Sequence, residues 1–190
     1  MTINTVGNLV QLNEKYHSIA LDIAYAGSNN FTGKPIYKSD VSYIHSEALE
    51  CLLKAIELLK PLNLRLKVWD AFRPMAAQEI LFNHMPDPNY VGNPRTGLCP
   101  HCRGVAVDLT ITDRYGRELE MGTLFDDFRP LAHHGNDLVS EEAQRNRLLL
   151  AGVMNVAGFK PMDTEWWHYQ LPDLVKYPII SKDDTPEGII

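Results

Sequence analysis

The sequence predicts an α+β domain with a mainly antiparallel central sheet and flanking helices. Short β-branched or aromatic runs read as strands, and two leucine-rich stretches repeat at helical spacing. The two kinds of segment also follow one another in an irregular order, without the steady strand–helix alternation of a parallel sheet. All 190 residues are expected to form one domain, long enough to bury a core without disulfide staples.

Residues 1–40 are polar and broken by Gly27, Gly33 and Pro35, so they read as loop with short strands. Ser46 is placed to cap a helix reaching about Leu59. Leu49, Leu52, Leu53, Ile56 and Leu59 recur on one face, and Pro61 ends it. "LRLKVWD", Leu64 to Asp70, alternates as a half-buried strand does. Pro74 opens a helix in "RPMAAQEILFNH", at a first turn where its missing N–H costs nothing. Residues 85–100 hold four prolines and two glycines, a long irregular loop of a kind that is often functional. "HCRGVAVDLTITD" then gives a strand and "DRYGRE" a turn. Ser140 caps a helix to about Ala157, with Leu148, Leu149, Val153 and Val156 on its inner side and Gly158 as the stop. "TEWWHYQL" is a short aromatic strand, and the polar tail beyond Pro172 is expected to wrap the surface.

Composition excludes several classes. Hydrophobic residues make up 45% and charged residues 22%, as in ordinary globular proteins. Eighteen Lys and Arg against 24 Asp and Glu give a formal charge of -6, with no basic stripe for nucleic acid or an anionic membrane. No apolar run approaches the ~20 residues that span a bilayer. "MTINTVGNLVQLNEKY" lacks a basic region followed by an apolar one, so a cytoplasmic location is expected. Three cysteines, Cys51, Cys99 and Cys102, do not form a disulfide framework. Cys99 and Cys102 have a C-P-H-C spacing, but a strand instead of a helix is expected behind them. They read as reduced thiols. A bridge between them would strain the loop carrying His101 and make activity redox-sensitive. His133 and His134 read as solvated surface, and His17, His45 and His84 carry no signal.

One set of residues suits metal chemistry. A hydrolytic zinc site needs three nitrogen or oxygen ligands, an open position for water, and a nearby carboxylate that is not a ligand. His101, Asp108 and His168 could be the ligands and Glu165 the base. Residues an odd number apart on a regular strand face opposite sides. His101 and Asp108 are seven apart, so Gly104 would have to bend or bulge the chain. Glu165 and His168 are three apart, and share a cavity only if Glu165 starts its strand. The same residues also admit blander roles: a hydrogen-bonded structural histidine, a strand-opening glutamate, a histidine capping an aromatic cluster. Asp108 resists that treatment, because an unpaired buried carboxylate is costly.

The order H-x2-G-x-A-x-D followed by E-x-W-H resembles the VanX-type D-alanyl-D-alanine dipeptidases of the zinc D,D-peptidase superfamily, which includes the hedgehog fold. "DIAYAGSNNFTG" (22–33), "VWDAFRP" (68–74), "MGTLFDDF" (121–128) and "EWWHY" (165–169) are similar to further blocks of that family, in the same order. The resemblance implies a hedgehog/DD-peptidase-like fold and one zinc ion per chain held by His101, Asp108 and His168. It makes Glu165 the general base, which later protonates the leaving amine, and Arg73 the stabiliser of the oxyanion. It implies that Tyr25 and Asp127 read the free ammonium group of a small dipeptide, with Asp126 a rival for the aspartate. Cys99 stands where the family usually has serine, and a thiol is the poorer hydrogen-bond partner. The implied reaction is hydrolysis of D-alanyl-D-alanine, serving glycopeptide resistance or cell-wall dipeptide recycling. Two alternatives stand beside it: a carboxypeptidase trimming peptidoglycan stem peptides, and a non-catalytic zinc-stabilised binding module. The presence of both Glu165 and Arg73 counts against the module. The resemblance gives no oligomeric state.

Overall fold

The computed structural model describes residues 4–190. In chain order the described residues form β1 (Thr5–Val6), β2 (Leu9–Gln11), α1 (Glu14–His17), β3 (Ala20–Leu21), β4 (Tyr43–His45), α2 (Ser46–Leu59), β5 (Leu64–Asp70), α3 (Met75–His84), β6 (Ala106–Asp113), α4 (Glu141–Ala157), β7 (Lys160–Met162) and β8 (Glu165–Gln170). The architecture is mixed α and β, with four helices and two sheets. A small antiparallel sheet has the order β1-β2-β4, and a five-stranded sheet the order β3-β5-β6-β8-β7. Only β3, which runs parallel to β5, departs from the antiparallel pattern of the large sheet. No helix among the described residues is long and apolar enough to cross a membrane.

The two faces of β6 have different chemistry. Val107, Leu109 and Ile111 join one buried cluster with Leu52 and Leu59 of α2 and Leu150 and Met154 of α4. Asp108, Thr110 and Thr112 alternate with them and point to the other side, also buried. That second face carries polar side chains because the site is built on it.

Both long helices have the expected extents and stops, but their inner faces differ from expectation. In α4, Leu148 is 73% and Val156 71% exposed, while Ala143, Arg147, Leu150, Met154 and Ala157 face inward. The deciding residue is Arg147, whose guanidinium donates to the carbonyls of Met121, Leu131 and His133 and so can be buried. Leu53 of α2 likewise turns outward, and the cap of that helix is the His45 imidazole, which accepts from the Glu47 N–H. Ser140 caps α4 by accepting from the Ala143 N–H, and Gly158 ends it at φ 116°. The tail crosses the surface as expected and is pinned: Ile180 N–H donates to the Cys102 carbonyl, and Ile189 is buried.

Candidate active site

Three neighbouring strands deliver three polar side chains in a row. Asp108 is the cross-strand partner of His168 on β8 and of Asp70 on β5. Partners in antiparallel strands project to the same face. Asp70 reaches that face only because β5 and β6 slip register between Val68 and Asp70: Val68 pairs with Leu109, Asp70 with Asp108, and Trp69 is the extra residue.

The two odd spacings have different solutions. His101 is not on the strand. It opens a 3-10 turn, His101–Arg103, closed by Gly104 at φ 68° in the left-handed region, and β6 starts only at Ala106. Gly104 therefore makes a turn and not a bulge. A Cβ there would lie 2.7 Å from Leu9 Cδ2 and 3.2 Å from the His45 nitrogen, so glycine is required by space as well as by φ. Glu165 is the first residue of β8. Pro161 pairs with Tyr169 but the next residue, Met162, pairs with Glu165, so β8 loops out here and loses its two-residue alternation. The Glu165 carboxylate comes to 4.0 Å from His168 Nδ1.

At the centre, one atom each from His101, Asp108 and His168 lies within 4.8 Å of the other two, and all three residues are buried. His101 Nδ1–H donates to the Ala71 carbonyl at 2.7 Å, which leaves Nε2 as a lone pair facing inward. His168 Nε2–H donates to Gln170 Oε1 at 3.1 Å, leaving Nδ1 inward. The two lone pairs are then 3.1 Å apart. Asp108 adds Oδ1 at 3.0 Å from His168 Nδ1 and Oδ2 at 3.3 Å from His101 Nε2. Three acceptors converging in a buried place repel unless a cation sits among them. The nitrogen and oxygen donor set, with both imidazoles fixed by outer hydrogen bonds, fits a divalent metal such as zinc.

Charge around the centre is also negative. Burial pushes the Asp108 carboxyl up, but without a metal the His101 and His168 imidazoles can carry protons toward it, and these outweigh burial and hold the group well below the usual carboxylate range. Burial raises Asp70 despite the adjacent Arg73. Burial lifts Glu165 to about 8, with the Asp108 and Asp126 charges adding and His168 opposing. Arg73 answers this negative charge. Its Nε–H donates to Asp70 Oδ2 at 2.8 Å, one terminal nitrogen donates to Gln78 Oε1 at 2.9 Å, and the other faces Asp108 Oδ2 at 3.5 Å. The guanidinium also lies 5.1 Å from the centroid of the Tyr25 ring. Arg73 and Asp70 thus form an ion pair in the interior and not at the surface.

These groups line a cleft of about 260 Å³ that also takes in Tyr25 and Asp126. A cleft of that size is below the ~300–1,000 Å³ of drug-sized pockets, and suits a small substrate. The proline-rich loop at 85–100 forms part of its wall through Tyr90, Val91 and Gly92.

A family model described as D-ala-D-ala dipeptidase matches residues 5–183. The chain belongs to the D-Ala-D-Ala dipeptidase family. Its relatives include the D-alanyl-D-alanine dipeptidase of Escherichia coli, 38% identical over 91% of this chain and 89% of that protein. The Enterococcus faecium enzyme of the same name is 34% identical over 85% and 90% of the two chains. Among solved structures, the vancomycin-resistance D,D-pentapeptidase VanY in complex with Zn(II) is 14% identical, with a TM-score of 0.45 over 70% of this chain and 75% of that one. The LD-carboxypeptidase LdcB is 20% identical, with a TM-score of 0.45 over 68% and 59%.

In this family member the two candidate aspartates part company. Asp126 stands at φ 59° and lines the cleft, accepting from the Tyr25 hydroxyl at 3.2 Å and from the Phe31 N–H at 3.4 Å. Burial raises its carboxyl to about 7. Asp127 points away, outside that cleft, and pairs with Arg129 on an exposed loop. Adjacent residues at a left-handed turn diverge, and Asp126, not the Asp127 that the resemblance implies, is the one turned into the cleft.

Cys99 and Cys102 are joined as a disulfide, not free thiols. Both are buried, and Cys99 lines the cleft as a sulfur with no S–H to donate. His133 and His134 are half-buried, contrary to the solvated surface expected, because Arg147 gathers their loop through the His133 carbonyl. Sequence reasoning missed Asp70, Gln78 and Gln170. Asp70 left a trace, an acid ending an apolar strand beside the arginine. Nothing local marks either glutamine.

Proposed function

We propose that this chain hydrolyses the D-alanyl-D-alanine dipeptide, with one zinc ion held by His101, Asp108 and His168. Family membership supports the reaction. The observation that carries the assignment to residues is the meeting, in one small cleft, of three convergent acceptors with an unliganded carboxylate, a fixed guanidinium and an inward aspartate. Zinc supplies Lewis acidity there when bound, acidifying water and polarising a carbonyl.

The chain's own groups divide the remaining work. Glu165 Oε2 takes a proton from the attacking water and returns it to the departing amine; its raised affinity for protons suits the second transfer as well as the first. The terminal Arg73 nitrogen that faces Asp108 donates to the oxyanion formed at the scissile carbonyl, and its charge persists at any working pH. The Asp126 carboxylate, held by the Tyr25 hydroxyl, receives the substrate ammonium. A longer peptide has an acylated nitrogen there, which leaves the carboxylate desolvated and unpaired. The Cys99 sulfur contributes an apolar wall where a hydroxyl would donate. The Asp126 end favours a dipeptidase over the carboxypeptidase reading.

Turnover of D-Ala-D-Ala beside N-acetyl-D-Ala-D-Ala tests this directly. The free dipeptide should be cleaved at least about a hundredfold faster in kcat/KM, on the scale of a lost charge-assisted contact. Equal rates on both would defeat the ammonium assignment, and no cleavage of either would defeat the proposed reaction.

A further inference from the structure

The proposed role of Arg73 requires more than its presence. One hydrogen bond, from Nε–H to Asp70, fixes a point and leaves the guanidinium plane free to swing about it. A second on another nitrogen fixes the plane. The second partner is Gln78, from the first turn of α3, whose side chain is 1% exposed. With Nε and one terminal nitrogen so held, the remaining terminal nitrogen is directed toward Asp108 and the cleft.

Gln78 is itself oriented from behind. Its Nε2–H donates to the Gly92 carbonyl at 2.6 Å, in the loop that walls the cleft. An amide N–H facing that carbonyl leaves only Oε1 for Arg73, so the amide has a single workable orientation. Glycine is required at 92 by this close approach, since a Cβ there would lie 2.8 Å from the Leu98 carbonyl oxygen. A glutamate at 78 would oppose two oxygens across the same gap and add a further anion near Asp70 and Asp108.

We infer that Gln78 is a positioning residue for the reaction: it ties the plane of the Arg73 guanidinium to the 85–100 loop so that one terminal N–H meets the oxyanion. The inference rests on the oxyanion role of Arg73 proposed above. Gln78 touches no reacting atom. Its effect runs through Arg73.

A double-mutant cycle separates this from a structural role. Gln78→Leu should lower kcat by about 10- to 100-fold, less than the 10²–10³ of deleting an oxyanion donor outright, with KM changed less than threefold. Zinc content should stay near one per chain. In an Arg73→Lys background, where no planar fork exists, the same substitution should cost less than threefold. Gln78→Met, which keeps the side-chain length but offers Arg73 no comparable acceptor, serves for the same cycle if the leucine variant does not fold. An equal loss from Gln78 substitution in both backgrounds, or a loss confined to KM, would overturn the inference. If instead Arg73→Lys and Arg73→Ala both turn over at the parent rate, it is the oxyanion role that fails.

Discussion

Glu165 sits where burial and neighbouring carboxylates disfavour its charge, and bound zinc would favour it. In its proposed role as base it acts in the transition state and not in holding the metal. Glu165→Ala is therefore expected to keep its zinc, by metal analysis, and to lose about 10²–10⁴ in kcat; near-parent turnover would remove Glu165 from the role. Asp126 is the second residue with a pH consequence. Its carboxyl is raised from 3.8 to about 7, so the folded state binds its proton more tightly than the unfolded chain does. That contribution to stability is complete below pH ~4 and is lost as pH rises through about 7. Asp126→Asn should accordingly raise Tm relative to the parent above pH 7 and change it little below pH 4, while KM for the dipeptide rises at least tenfold. Asp127→Asn, which breaks only the pair with Arg129 on an exposed loop, should alter KM less than twofold. The reverse pattern would return the ammonium role to Asp127.

At the scale of elements, the short turn ahead of β6 is the critical piece. It carries His101 between two bonded cysteines, takes the Ile180 N–H of the tail on the Cys102 carbonyl, and is closed by Gly104. Gly104→Ala meets both an unfavourable φ and a filled space, and is expected to cost roughly 2–4 kcal/mol and to weaken zinc binding. Gly116, at φ 83° with nothing within 4 Å of an added Cβ, provides the comparison. Gly116→Ala should cost about 1–2 kcal/mol with zinc affinity unchanged. Equal effects of the two substitutions on zinc affinity would detach Gly104 from the metal centre.

For the whole molecule, the three proposed ligands draw together a turn and two central strands, with His101 and His168 separated by 67 residues of chain. A cation bound only by the folded state stabilises it by mass action, about 2.7 kcal/mol when free metal is a hundred times Kd. Chelation should abolish turnover and lower Tm, and zinc should restore both. A Tm indifferent to zinc would mean that the three acceptors do not form the site. The fold keeps Asp108 on the face of β6 opposite the helical core, so loss of a bound metal would expose repulsion there without opening that core.

Much of this was legible along the chain. Helical and strand periods set the limits of α2, α4, β5 and β8, because each depends on local spacing and local stops such as Ser140 and Gly158. The residues of the candidate site and their order, His101, Asp108, His168, and Glu165 as a carboxylate apart, were equally present in the sequence. The inner stripe of α4 was not, since a buried Arg147 is permitted only by carbonyls from a distant loop. Nor was the choice of Asp126 over Asp127, which one left-handed residue decides. The sequence by itself determined the chemistry available and the elements that carry it. Only the tertiary structure decided which atoms face one another. Register slips at Trp69 and in β8 break the two-residue alternation from which side-chain direction would otherwise be read, and cross-strand pairing brings Asp108 to 3.0 Å from His168.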